Sequence, residues 1–262
     1  GNEHPYGYYS KPEDFDKLNR TVLQNYQKRQ YVSNHCVIIV SGLINANTLE
    51  LLNKNFGDKN WSGGTEAKIS TSSMKYTGDK KQYIEKEDAL QSAIRIGRRL
   101  FNRNHPDYPG MAVLNTVLGG YFGSRLMSNI REDKGYTYGI GSALVSMKQE
   151  GYFFISTEVG ADVTLPALTE IYKEIDLLKK EPVQEEELSM VRNYMRGSFV
   201  KGLESAFHLA DRFRSLHLHG LDYDYYQRYL EKVRTIQAEE IMELANKYLD
   251  SSVFHELVVG RK

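Results

Sequence analysis

The chain has a single cysteine, Cys36, in 262 residues, so no intrachain disulfide can staple it and the small disulfide-dense folds are excluded. Cys36 opens the apolar run CVIIV, where a buried, inert thiol is expected. The chain also lacks net charge. Its 34 Lys and Arg balance 34 Asp and Glu, so there is no global field of the kind that draws nucleic acid or an anionic membrane surface. No apolar run approaches the ~20 residues needed to span a bilayer, and no membrane insertion is expected. Gly1 stands without an initiator Met and without a charged-then-apolar leader, which reads as a boundary with any targeting segment upstream. A soluble protein, with a periplasmic or cell-envelope address if a signal peptide has been removed, is the matching expectation.

The usual motifs of catalysis are also missing. Seven histidines occur, yet none forms H-x-x-E-H or H-E-x-x-H, the helical spacings that bring two imidazoles and a general base to one zinc ion. His217 and His219 are the nearest pair, and residues two apart on a helix point about 200° apart. His255-Glu256 has no second histidine after it. There is no C-x-x-C, no G-x-S-x-G and no Walker loop. Gly119-Gly120-x-x-Gly123 precedes a helix but follows another helix rather than a strand, and it lacks the order of a dinucleotide loop. No metal is expected to be bound by this chain.

What is present is a regular alternation of elements. Phe15, Leu18, Val22, Leu23 and Tyr26 share one helical face, so a helix is expected over 13–30. The run from Cys36 to Ser41 reads as a buried strand. Asn45 or Asn47 then caps a helix that Gly57 ends. From Asp58 to Asp79 the composition turns to Gly, Ser, Thr and Lys, a linker too long for an ordinary loop, with Trp61 as its packing anchor. Beyond it come one or two strands ending in an alternating run over 91–98. A helix follows through Met111, Leu114, Val117 and Leu118, then a hairpin over 136–147 and 151–159. Helices are expected over 163–180, 184–202, 205–219, 223–233 and 237–248, with Pro182 separating the first two. Tyr223, Tyr225, Tyr226 and Tyr229 read as helix packing. A last strand over 253–259 would close the sheet. The pattern predicts an α+β fold in which helices cover one face of a largely antiparallel sheet.

The densest stretch runs from Thr116 to Ser142, TVLGGYFGSRLMSNIREDKGYTYGIGS. Its glycines permit a sharp helix-to-helix reversal, a short amphipathic helix begins near Ser124, and a strand starts after Gly135. Arg131 and Tyr138 flank this elbow. Taken by spacing alone, Arg131 satisfies carbonyls at the end of its helix and Tyr138 is an ordinary strand aromatic. Tyr136 shares a strand face with Tyr138 and is the alternative candidate.

This stretch resembles the second-half signature of the insulinase-like, or pitrilysin, zinc peptidases: Leu-Gly-Gly at 118–120, Ser-Arg-Leu at 124–126, an Arg-Glu pair at 131–132, and a Tyr seven residues after the Arg. His4-Pro5-Tyr6-Gly7 and Tyr31-Val32-Ser33-Asn34 leading to VIIVSG are similar to the close of the family's first half, and Asp88-Ala89-Leu90-Gln91 to the start of its second. The resemblance implies two similar α+β halves with zinc held on the first by H-x-x-E-H and a distal Glu. Residues 1–60 would then be the tail of that first half (helix, strand, helix), 61–80 the linker, and 81–262 the complete second half without a metal site. It implies that Arg131 and Tyr138 bind substrate, a peptide or unfolded polypeptide, opposite a zinc held by a missing segment or a partner chain. A guanidinium and a phenol can offer donors to a peptide carbonyl or to the oxyanion that develops from it. Cleavage by this chain alone is not expected. The alternative is a catalytically silent homologue serving as a structural or assembly subunit. With its sheet neighbours absent, the strand at 36–41 would expose an apolar edge able to pair with a second copy or to dock on the second half.

Overall fold

The computed structural model describes residues 4–58, 61 and 79–261. Residues 59–60 and 62–78, which carry most of the expected linker, lie outside the described residues. The chain separates into two compact units, Gly1–Gly78 and Asp79–Lys262.

Among the described residues the first unit holds three α-helices, α1 (Pro12–Asp16), α2 (Arg20–Gln30) and α3 (Ala46–Phe56). The single helix expected over 13–30 is broken. Asn19 turns its side chain back to accept the Val22 N–H at 3.0 Å, so it starts α2 instead of continuing α1. Asn45, not Asn47, caps α3 by accepting the Thr48 N–H at 3.0 Å, and Gly57 follows the helix. Trp61 donates its indole N–H to the Tyr31 carbonyl at 2.9 Å and packs its ring 5.7 Å from that of Phe56.

Two expectations fail here. Cys36–Ser41 forms no strand: the segment pairs with nothing among the described residues, and Val37 is 59% exposed. A strand needs a neighbour to take its backbone groups, and β-branched composition does not provide one. Cys36 is accordingly exposed rather than buried. Apart from His4, none of the described side chains in this unit is buried.

The second unit is built on a five-stranded sheet in the order β1-β5-β2-β4-β3. Its strands are β1 (Lys81–Glu85), β2 (Gln91–Leu100), β3 (Thr137–Ser146), β4 (Gly151–Gly160) and β5 (His255–Gly260). β1 lies parallel to β5 and every other pairing is antiparallel. The last strand therefore enters the middle of the sheet, with β1 beyond it, and does not close an edge. Along β4 Phe153, Ile155, Thr157 and Val159 are buried while Tyr152 and Glu158 face out, the period-2 signature of a sheet covered on one side.

The unit has six helices, α4 (Tyr108–Asn115), α5 (Thr164–Lys180), α6 (Glu185–Lys201), α7 (Ala206–His219), α8 (Asp224–Thr235) and α9 (Ala238–Tyr248), and all but α7 put buried side chains into the core on that side. Leu114 of α4, Leu118 and Ile130 from the elbow, Ile171 and Ile175 of α5, and Ile241 of α9 meet Ile94, Ile96 and Ile155 of the sheet in one core. Burial of each such aliphatic side chain contributes on the order of 2 kcal/mol. The Asp107 carboxylate ties the start of α4 to the end of α9, accepting from the Tyr248 hydroxyl at 2.5 Å and from Lys247 Nζ at 2.8 Å.

Candidate functional site

The elbow departs from regular α-helix twice. α4 runs into a π-helical turn over Thr116–Gly120, and after a tight turn the second helix passes into π-helix over Met127–Asp133. Such widened turns re-aim the side chains they carry and recur at functional sites. Gly119 is required by contact: a Cβ there would lie 2.6 Å from the Ser142 backbone nitrogen on β3. Gly135 ends the elbow at φ +66°, a conformation that favours glycine.

Polar contacts fix the second helix to its neighbours. Arg125 makes a two-pronged pair with Glu187 of α6, Nε and Nη2 donating at 2.9 and 2.8 Å. Burial opposes the Arg125 charge, but the Glu187 carboxylate outweighs it and holds the guanidinium above its ordinary value. One turn on, the Asn129 amide donates to Glu170 at 2.9 Å and to the buried Glu174 at 2.6 Å, both on α5. That donation holds the Glu170 carboxyl below the usual carboxylate range. Arg131 therefore projects from a segment clamped on two sides.

The Arg131 guanidinium lies 4.8 Å from the centroid of the Phe122 ring and 5.2 Å from that of Tyr138, within the range of a cation–π contact. Among the described residues it takes part in no hydrogen bond and no ion pair, so it does not serve the carbonyls at its helix end. Tyr138 is 90% exposed and Phe122 62% exposed. The structure thus brings the two sequence-predicted residues together and leaves both sets of donors, guanidinium and phenol, facing outward.

Tyr138 faces outward because of a bulge. Thr137 stands opposite Val159 and Ile140 opposite Thr157, so both take the helix-covered side, and Tyr138 and Gly139 share the single place opposite Glu158. Threonine hydroxyls stitch the bulge: Thr137 Oγ1 accepts the Gly139 N–H at 3.1 Å and donates to the Glu158 carbonyl at 2.6 Å. Thr157 Oγ1 lies 3.0 Å from both Thr137 Oγ1 and the Gly139 carbonyl oxygen. Tyr136 does not share the face of Tyr138. It precedes β3 and packs against the core. Phe122, the second ring beside Arg131, was not anticipated. In sequence it is one bulky residue in a glycine turn, and only its exposure distinguishes it from a core aromatic.

No three His, Cys, Asp or Glu side chains among the described residues converge to hold a metal ion. The nearest histidine pair is occupied otherwise. His219 Nδ1 donates to the Ser215 carbonyl at 2.9 Å while its Nε2 meets the Ser146 hydroxyl at 3.0 Å, and the His217 ring packs 6.3 Å from Phe213. The donor sets of the described residues do not fit zinc.

Residues 17–195, well over half of the chain, match the family model described as "Peptidase M16 inactive domain". An uncharacterized zinc protease of Bacillus subtilis, YmxG, is 28% identical over 77% of this chain and 49% of its own length. Another, from Mycobacterium leprae, is 24% identical over 95% of this chain and 56% of its own length. The chain thus spans about half the length of these relatives. Among solved structures, a peptidase M16 inactive domain from Pseudomonas fluorescens superposes with a TM-score of 0.84 at 22% identity, covering 99% of this chain and 62% of that one. At that identity the likeness speaks for the fold.

Proposed function

The chain belongs to the peptidase M16, or insulinase-like, family through its inactive domain, and we propose that it is the substrate-binding portion of a zinc endopeptidase, with Arg131 and Tyr138 holding the peptide. The carrying observation is the Arg131 guanidinium, 4.8 Å from the Phe122 ring centroid and 5.2 Å from that of Tyr138, with no acceptor of its own among the described residues. A planar guanidinium so held keeps in-plane N–H groups for a backbone carbonyl, and the adjacent phenol adds one more donor. The polypeptide is the fitting substrate, because these donors read a carbonyl and no particular side chain.

In this reading residues 1–60 are the tail of the family's first half, 61–80 the connector, and 81–262 the second half. The absence of buried side chains from α1, α2 and α3, and the unpaired run at 36–41, support the assignment of the first unit as a fragment of a larger sheet. The zinc of such an enzyme is then carried by a segment missing from this chain or by a homologous partner subunit.

The test is peptide cleavage by the enzyme reconstituted with its zinc-bearing half. Arg131→Ala and Tyr138→Phe should each lower kcat/KM by ~10-fold or more, the scale of one hydrogen bond to a charged or developing-charge group, with the far-UV circular dichroism spectrum unchanged. Unchanged cleavage in both variants would overturn the reading and leave a silent structural homologue in its place.

A further inference from the structure

Away from the elbow's exposed face, a cavity of about 460 Å³ opens between α4, α6, α7 and α8. That is large enough for a small organic ligand. Its walls are aromatic: Tyr108 from α4, Tyr194 and Phe199 from α6, and Tyr225 and Tyr229 from α8. Two guanidiniums join them, Arg103 from the loop after β2 and Arg212 from α7.

Neither arginine has a carboxylate within ion-pair distance among the described residues. Arg212 donates from Nε to the Gly202 carbonyl at 2.8 Å and from Nη2 to the Phe199 carbonyl at 2.9 Å, and it lies over the Phe199 ring at 4.0 Å. Arg103 donates from Nη1 to the Ser215 hydroxyl. Its Nε is buried and makes no hydrogen bond. A buried donor left unused beside a cation with no ion-pair partner is rare unless something fills the place.

The loop holds Arg103 firmly. The Arg103 N–H donates to Ser146 Oγ at 3.1 Å, and that oxygen meets His219 Nε2 at 3.0 Å. Asn104 Nδ2 reaches the His219 carbonyl at 3.0 Å. The guanidinium is thus positioned from β3 and α7 together. Burial raises the Tyr108 phenol above its ordinary pKa and pushes that of Tyr229 up to about 12. At neutral pH these phenols are protonated and act as donors around the arginines.

We propose that this cavity binds a carboxylate carried on an aromatic or apolar body, with Arg103 and neighbouring tyrosine hydroxyls on the carboxylate and the tyrosine rings on the body. A planar carboxylate matches the guanidinium fork. A phosphate dianion fits less well, since Asp211, engaged by Arg214 at 3.1 Å, also lines the cavity and repels the higher charge more. The carboxylate comes from a free aromatic acid or from the C-terminal residue of a peptide. The assignment does not depend on the role given to Arg131 and Tyr138.

Calorimetric titration of the 262-residue chain separates the outcomes. The probes are 3-phenylpropionate and the tripeptide Ala-Ala-Phe, each compared with its amide. The acid form of at least one probe should bind ~10-fold or more tightly than the amide, the scale of a charged hydrogen-bonded pair. Arg103→Gln should remove that preference, and Tyr152→Phe, on the open face of the sheet, should leave it intact. Binding of 3-phenylpropionate alone assigns a free acid, and binding of the tripeptide assigns a peptide end. Equal affinity for acid and amide, or no binding of either acid at millimolar concentration, overturns the proposal. So does a full acid preference in a folded Arg103→Gln protein. Should that variant not fold, the acid-to-amide comparison on the unaltered chain and the Tyr108→Phe variant decide the matter, with an unchanged preference in Tyr108→Phe and no acid preference in the parent both counting against it.

Discussion

Arg131 carries its guanidinium 5.2 Å from the centroid of the Tyr138 ring, although a π-helical segment, a glycine at φ +66° and a β-bulge separate the two along the chain. Each interruption of regular structure turns one of the residues toward the other. In an unbroken helix and a regular strand the pair would not meet.

Phe122 contributes to this pair by holding the guanidinium. Phe122→Ala removes one of the two rings beside Arg131 and leaves every polar donor in place. Cleavage by the reconstituted enzyme should fall by ~2–5-fold, matching the ~0.5–1 kcal/mol of an exposed cation–π contact. Phe122→Tyr should retain nearly full activity. Steady-state kinetics on the two variants checks this, and equal losses in both would show that the ring's stacking is not what matters.

Gly119 is fixed by steric contact with β3. Gly119→Ala places a methyl group 2.6 Å from the Ser142 nitrogen and 2.7 Å from its hydroxyl oxygen. The elbow must shift against the core, at a cost of about 1–3 kcal/mol. Urea unfolding should show the loss, whereas Gly139→Ala, where an added Cβ meets nothing within 4 Å, should cost much less.

Asp107 makes stability depend on acid. Hydrogen bonds from Lys247 and then Tyr248 hold its carboxyl below the ordinary carboxylate range in the folded chain. A folded-state pKa below the unfolded value stabilises above the unfolded pKa, and that stability is lost as pH falls through the lowered folded value. Asp107→Asn should therefore cost about 1 kcal/mol at neutral pH. The difference from the parent should shrink as the pH is lowered below about 4. Thermal unfolding of both proteins across pH 2–7 measures it, and a pH-independent difference would contradict the assignment.

The apolar run at Val37–Val40 is exposed and unpaired among the described residues. The isolated chain should associate through it in a concentration-dependent way. Ile38→Lys with Val40→Lys should shift the population toward monomer in sedimentation velocity. A parent that is monomeric at all concentrations, with residues 1–60 tumbling freely in solution scattering, would count against this.

The sequence was most informative where structure is local. The five long helices from 163 to 248 were expected within a residue or two of their observed ends, because each carries its own apolar stripe and Pro182 marks a stop. The hairpin of β3 and β4 was legible from alternation, and Gly135 from its place after the helix. Features requiring a distant partner were not. Nothing near Val253–Val259 announces a parallel neighbour at Lys81–Glu85, and CVIIV has the composition of a strand without the strand beside it. Asn19 was missed for a local reason, since an asparagine on a helical face scores as helix until it is seen to cap. At the site, Arg131 and Tyr138 could be named from the family resemblance, against what spacing alone suggests. That Tyr136 lies outside the strand and packs against the core, while Tyr138 faces Arg131, could not be read, because β3 starts only at Thr137 and alternation was carried one residue too far back. Phe122 gave no signal at all.

The extra residue of the β3 bulge also governs how the protein behaves in a crowd. β3 forms one margin of the sheet, and a straight margin offers its free N–H and C=O groups as a template on which like chains can stack into fibrils. Here the template is interrupted at Tyr138 and Gly139, where threonine hydroxyls already occupy the Gly139 N–H and carbonyl, and Gly141 beyond gives an added strand no side chain to grip. A sheet so finished, with the elbow laid against this margin where the Ile140 N–H donates to Met127 Sδ at 3.4 Å and Gly119 abuts the Ser142 nitrogen, resists growing into an aggregate.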